Sequence, residues 1–256
     1  MQSRTFEQPI MSHKENTIFG IYPVKEALAS KVIFDKVFIQ KGINSDKIDG
    51  LIKDLEQSNV TINTVPQEKL NRLTRGNHQG IVAITSPVAF HKLEDVVEKT
   101  LASTKTPLFL ILDQISDVRN FGAILRTAEC TGVNAVIIQK TGGAPVTGDT
   151  VKTSAGAIFN IPICKVDHIK DAIFYLQGSG VTTVAATEKT TDTIYSATLT
   201  GSIAIIMGSE GKGVSKSVLN LVDKKASLPL LGEINSLNVS VACGAFLYEV
   251  VRQRSL

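Results

Sequence analysis

Asn120, Arg126, Glu210, Ser236 and Asn238 are the residues whose types and settings point most directly to chemistry. They fall in three segments. The first, Asp117-Val-Arg-Asn-Phe-Gly-Ala-Ile-Leu-Arg-Thr-Ala128, follows the apolar run Leu108–Leu112 directly. In a parallel α/β sheet, ligands gather at the carboxyl ends of strands, and this segment begins at such an end. Gly122 and Arg126 share a helical face one turn apart. A glycine there weakens the helix, so its presence points to close approach by another backbone or a ligand. Ordinary structural roles stay open: Asn120 as a helix cap, Arg126 as the ion-pair partner of Glu129 three residues on. The second segment, Met207-Gly-Ser-Glu-Gly-Lys-Gly213, also follows an apolar strand, and its glycines permit a backbone that presses against a ligand. It matches neither the phosphate-loop nor the dinucleotide glycine pattern, which sets aside a nucleotide-binding oxidoreductase. Glu210 at its centre would repel a phosphate and suits a cationic or neutral ligand. The third is Ser236-Leu-Asn-Val-Ser240, where Asn238 or Ser236 can cap the last helix by accepting from its free first-turn amides.

The elements that must position these residues read as two α/β halves. From Ile18 to Thr85, helices over 22–30, 45–58 and 67–73 alternate with strands over 36–40, 61–65 and 80–85. Between the last helix and strand, Thr74–Gly80 is polar and carries two glycines. As a functional loop it offers Arg75, Asn77, His78 and Gln79 to RNA phosphates and base edges; as a structural one it is a surface turn. Residues 89–105 read as a linker with one short helix, and residues 1–15 as a flexible N-terminus. The domains expected are therefore 16–88, for binding RNA, and 106–256. In the second, Leu108–Leu112 has the continuous apolar character of a strand buried on both faces. Strands and helices then alternate to the end, implying a mostly parallel sheet with helices on both faces. Val239, Ala242, Cys243, Phe246 and Val250 recur at helical spacing and form the buried stripe of the last helix.

The chain has 256 residues, 43% of them hydrophobic, with a formal net charge of only +3. That balance admits nucleic acid as a partner but points to a local basic site, not a wholly basic surface. Aromatics make up 5% and tryptophan is absent, which argues against broad base-stacking platforms. Cys130, Cys164 and Cys243 lie too far apart for metal-ligand spacing and read as reduced thiols. No signal peptide or membrane-spanning run is visible, so the reading is a soluble, cytoplasmic protein with no membrane and no metal.

In order and spacing, Asn120-x-Gly-x-x-x-Arg126, Gly208-x-Glu210-x-x-Gly213 and Leu228-Pro-Leu with Ser236-Leu-Asn-Val-Ser240 resemble the three signature motifs of the SpoU (TrmH) family of SPOUT RNA methyltransferases. The resemblance runs from about Ile18 to the end, and the N-terminal unit resembles the ribosomal-protein-like RNA-binding domain of one branch. It implies a SPOUT-type α/β fold with a deep trefoil knot, a feature that topology rules count as rare. It implies S-adenosylmethionine as cofactor, contacted around Gly208, Leu228, Leu237 and Thr187, and a homodimer. The implied reaction is 2′-O-methylation of a ribose, a guanosine of 23S rRNA, with Arg126, Asn120, Glu210, Ser236 and Asn238 as the catalytic set. The loop Thr141–Asp149 departs from the 23S-specific branch. A tRNA-directed relative and a ribosome assembly factor without catalysis are the competing readings; the intact motifs argue against the second.

Overall fold

Short apolar runs alternating with amphipathic helices build a four-stranded sheet in the N-terminal part of the chain. The structure, a computed structural model, describes residues 16–43 and 45–255; the N-terminus expected to be flexible, residues 1–15, lies outside them. The elements are β1 (Thr17–Phe19), α1 (Ile21–Ala29), β2 (Phe34–Gln40), α2 (Asp46–Gln57), β3 (Ile62–Val65), α3 (Gln67–Leu73) and β4 (Ile81–Thr85). The strand order is β1-β4-β2-β3. β4 runs antiparallel to both neighbours, whereas β2 and β3 are parallel. One face of this sheet is sealed by α1 and α2 through Val24, Ile48, Leu51 and Leu55 against Val37, Ile39 and Ile81. α3 covers the other with Leu70 against Phe38 and Val82.

The second sheet has the order β11-β9-β10-β6-β7-β8-β5, and every pairing in it is parallel. Its elements are β5 (Phe90–His91), α4 (Leu93–Ser103), β6 (Leu108–Asp113), α5 (Val118–Cys130), β7 (Ala135–Gln139), α6 (Gly148–Thr153), β8 (Ile163–Val166), α7 (Ile169–Gly178), β9 (Thr182–Ala186), β10 (Ile203–Gly208), α8 (Lys216–Leu219), β11 (Lys224–Ala226) and α9 (Val239–Arg254). β6 and β10 are buried at all six positions each, as central parallel strands require. β10 enters between β9 and β6, so the order of connections reverses beside β6.

Residues 89–105 are not a linker. β5 pairs with β8 at the sheet edge, and α4 buries Leu93 and Val97 in the same core as Phe109, Ile137 and Ile173. At about 1.5–3 kcal/mol for each fully buried aliphatic side chain, that anchoring outweighs the local polarity of the segment. Residues 88–145 and 153–256 form one compact unit, and residues 146–152, with most of α6, belong to the N-terminal one. β8 begins at Ile163, after the 3-10 turn Ala157–Phe159, and α8 is a single turn, Lys216–Leu219. β1 and β5, three and two residues long, are too short to register as periodicity.

Candidate active site

Asn120, Glu210 and Asn238 meet in one hydrogen-bonded cluster. Asp117 Oδ1 accepts from Asn120 N at 2.8 Å, so Asp117, not Asn120, caps α5. That frees the Asn120 amide, whose Nδ2 donates to Glu210 Oε1 at 2.7 Å. Asn238 Nδ2 donates to the same oxygen at 2.8 Å and to Asn120 Oδ1 at 3.1 Å. Asn238 is the cap of α9: its Oδ1 accepts from Ser240 N at 2.9 Å and from Ser240 Oγ at 2.6 Å. Two amides thus hold one carboxylate oxygen of Glu210, and among the described residues Oε2 has no hydrogen-bond partner.

Backbone geometry explains why the second segment is glycine-rich. A Cβ on Gly208 would lie 2.0 Å from the Gly213 carbonyl carbon and the Val214 nitrogen. The loop closes on itself through Gly213 N donating to Ser209 O at 2.9 Å, with positive φ at Gly211 and Gly213. Asp113, buried at the end of β6, pins its far side by accepting from Ser215 N at 2.8 Å. Gly122 has a similar explanation. Its absent Cβ would fall 2.0 Å from Thr153 Oγ1, so the close approach is made by Thr153, not by a ligand.

Around this cluster opens a cleft of about 610 Å3, a size common for small-molecule sites. Its walls come from the ends of β9 and β10, the segment after β11 and the first turns of α9. Thr187, Gly208, Leu228 and Leu237, the four anticipated cofactor contacts, all line it, as do Ser236, Asn238 and Glu210. Sequence reasoning missed Glu188, Leu230, Ala242 and Phe246 in the same lining. Ala242 and Phe246 were legible only as part of the buried stripe, and Glu188 only as a charge following a strand. The two carboxylates among apolar walls suit a partly apolar, cationic ligand.

Arg126 stands apart from the cleft lining. It lies six residues beyond Asn120 on α5, about 9 Å along the axis. The side chain is exposed, and among the described residues it has no hydrogen-bond or ion-pair partner. The pairing with Glu129 is not made: Glu129 Oε1 instead accepts from Asn160 Nδ2 at 3.4 Å. In the N-terminal loop, Arg75 and Asn77 are exposed, but His78 is buried. His78 Nδ1 accepts from Gly80 N at 3.0 Å, so the neutral ring carries its proton on Nε2, 2.9 Å from Asn71 Oδ1. Both ring nitrogens are therefore engaged within the loop, which makes His78 a strut of the loop with no free ring nitrogen for a phosphate or base edge. Gln79 Oε1 accepts from Ile21 N at 3.2 Å, leaving only its amide nitrogen to a partner.

Sheet and cleft together define the class: an α/β protein built to hold a small ligand where parallel strands end and the chain reverses direction. Residues 107–248 match the SpoU rRNA Methylase family, and residues 17–91 match the RNA 2'-O ribose methyltransferase substrate binding domain. The chain belongs to the SpoU family of RNA 2′-O-methyltransferases. It is 36% identical to the 23S rRNA (guanosine-2'-O-)-methyltransferase RlmB of Vibrio vulnificus over 93% of this chain and 96% of that protein. It is 35% identical to a protein of Staphylococcus epidermidis named as a TrmH family tRNA/rRNA methyltransferase, over 93% and 95%. The SpoU methyltransferase AviRb of Streptomyces viridochromogenes, crystallised with AdoMet, shares the fold with a TM-score of 0.60 at 20% identity, covering 93% of this chain and 90% of its own. Among the described residues no group of three or more His, Cys, Asp and Glu side chains is arranged to hold a metal, and no helix is long and apolar enough to cross a membrane.

Proposed function

We propose that this protein methylates the ribose 2′-hydroxyl of a guanosine in 23S rRNA, using S-adenosylmethionine, as a cytoplasmic homodimer. The observation that carries the reading is the Asn120–Glu210–Asn238 cluster bordering the cleft. S-adenosylmethionine fits the residues present: the cleft has the volume, apolar walls and two carboxylates that a sulfonium nucleoside needs. When bound it supplies a methyl carbon that leaves sulfur for the 2′-oxygen, with loss of the hydroxyl proton. Gly208, Leu228 and Leu237, with the backbone at Thr187, hold it.

The protein then has to align the hydroxyl and favour its developing charge. Glu210 Oε2, fixed because Oε1 is doubly held, accepts from a ribose hydroxyl; Ser236 and Asn238 complete the ribose contacts. Arg126 stays protonated near neutrality, so it is no base. It stabilises the incipient alkoxide or grips the adjacent phosphate, and a phosphate oxygen takes the proton. Its lack of a protein partner supports that duty. Residues 16–88 bind RNA and 106–256 carry out the transfer in this scheme, with residues 89–105 completing the second unit. The deep knot belongs to the same reading, supported by β10 inserted between β9 and β6 and by the packing of α9 on α5.

The test is transfer of label from S-adenosylmethionine to naked or partly assembled 23S RNA in the presence of a chelator, with mapping of 2′-O-methyl sites. The expected result is label on one guanosine ribose of 23S RNA, undiminished by chelator, because the electrophile is already activated. Label on a base atom, or complete loss in chelator, overturns the mechanism; label on tRNA alone redirects the substrate.

A further inference from the structure

The N-terminal unit has a second cavity, of about 460 Å3, that the methyl-transfer chemistry does not use. Gln40, Gln67, Asn71, Asn77 and Gln79 all line it, and no charged side chain does. Affinity for phosphate is dominated by charge neutralisation from Lys and Arg. Amides instead offer paired donors and acceptors in a plane, the chemistry by which proteins read base edges. The cavity wall is held rigid. His78, Gln79 and Gly80 form a tight turn with positive φ at the last two, and a side chain at Gly76 would strike the Phe19 ring at 2.4 Å.

Two of the amides are already committed in a way that fixes what they present. Asn71 gives its oxygen to His78 Nε2–H, and Gln79 gives its oxygen to Ile21 N. Among the described residues nothing occupies Asn71 Nδ2 or Gln79 Nε2. Two amino groups, four N–H donors, are therefore uncommitted among the residues that line the cavity. A base met by donors must show acceptors, and guanine carries two adjacent acceptors, O6 and N7, where adenine pairs an acceptor with a donor. We propose that this cavity takes an unstacked RNA base by its acceptor edge, with guanine preferred. Such a site reads a bulged or looped nucleotide away from the one that is methylated, which is how single-stranded RNA is read in sequence. The proposal rests on the reading of this unit as RNA-binding.

The full-length protein is titrated, at one fixed salt concentration, with hairpin RNAs of identical stem carrying one unpaired guanosine, adenosine or abasic ribose. The wild type is expected to bind the guanosine hairpin about tenfold or more tighter than the abasic one, with adenosine between them. Asn71→Asp and Gln79→Glu keep the oxygens that His78 and Ile21 use and delete the free donors. Each should bring the guanosine hairpin within about twofold of the abasic one, with thermal midpoint and S-adenosylmethionine affinity unchanged. The added charge weakens all hairpins alike, so the ratio is the readout. Equal binding of the three hairpins by the wild type, or preserved preference in both variants, overturns the pocket while 23S RNA binding stands. Failure to bind the hairpins and 23S RNA alike overturns the RNA-binding reading and the pocket with it.

Discussion

At the residue scale, the site divides into side chains that are already held and one that is free. Glu210 is held by two amides, so Asn238→Ala removes a donor to Glu210 Oε1 and also the cap of α9. Arg126 is exposed and has no hydrogen-bond or ion-pair partner among the described residues, so Arg126→Ala is expected to leave the thermal midpoint and cofactor affinity unchanged while turnover falls by about a hundredfold or more, the scale of a lost electrostatic contact to the reacting centre. A variant that melts early but turns over near normally would instead mark Arg126 as structural. The cysteines supply a separate check on the core. Burial pushes the Cys164 and Cys243 thiols up to about 12, whereas Cys130 is exposed. Since only thiolates react, a thiol reagent at neutral pH should modify Cys130 rapidly and the other two only after unfolding. Rapid labelling of all three in the native protein contradicts this packing.

At the element scale, α9 is the part of the fold on which most depends. Its N-terminus supplies Asn238, its first turns line the cleft, and its last turns are tied down by polar contacts. Glu249, buried in the helix, accepts from Arg252 Nε and Nη2 at 2.8 Å each and from Gln253 Nε2 at 2.9 Å. Gln253 also donates to Ala197 O and accepts from Leu199 N, fastening the stretch between β9 and β10 to the helix. The Arg252 hydrogen bonds, opposed in part by burial, hold the Glu249 carboxyl below its ordinary value of 4.5. A depressed carboxylate contributes stability that is full above its unfolded pKa and is lost as pH falls through the lower folded value. Wild type minus Glu249→Gln in thermal midpoint should therefore be largest near neutrality and shrink as the pH drops below about 4.5; a difference that grows in acid contradicts the arrangement. The turn after β10 is equally constrained. Gly208→Ala forces a methyl group into backbone, an overpacking that costs about 1–3 kcal/mol or more and should abolish cofactor binding, read by calorimetry.

At the scale of the whole molecule, two boundaries can be tested. A chain beginning at residue 88 retains β5 and α4 and is expected to fold and bind S-adenosylmethionine with most RNA affinity lost. One beginning at residue 106 lacks the Leu93 and Val97 burial and should melt markedly lower. Undiminished methylation of the same nucleotide by the residue-88 chain contradicts the RNA-binding role of the N-terminal unit. The second boundary is between copies. Val241, Ala245 and Tyr248 form an exposed stripe along α9, with Val241 58% and Tyr248 56% accessible. Isologous pairing is the commonest way such a stripe is covered. If the proposed homodimer pairs through this stripe, Val241→Glu combined with Tyr248→Glu halves the mass seen in light scattering; an unchanged mass removes α9 from the interface.

The sequence by itself determined most of the local elements and the segments that meet around the cleft. Helix α3 matches expectation at both ends, because its periodicity is unbroken and turn residues flank it. The first two motifs were legible for a related reason: each follows an apolar strand, where ligands gather in a parallel α/β sheet. What only the tertiary structure decided is who meets whom. Asn120 reaches Glu210 across 90 residues because β10 pairs with β6 in register, Gly208 beside Asp113, and it reaches Asn238 across 118 because α9 packs on α5. No local propensity encodes that pairing. The same holds for His78 and for α4. A histidine in a polar loop and a charged helix between two prolines look solvent-exposed in sequence, yet each is drawn inward by partners distant in the chain. Burial and hydrogen-bond partnership are properties of the assembled sheet, whereas periodicity and turn chemistry are properties of the chain.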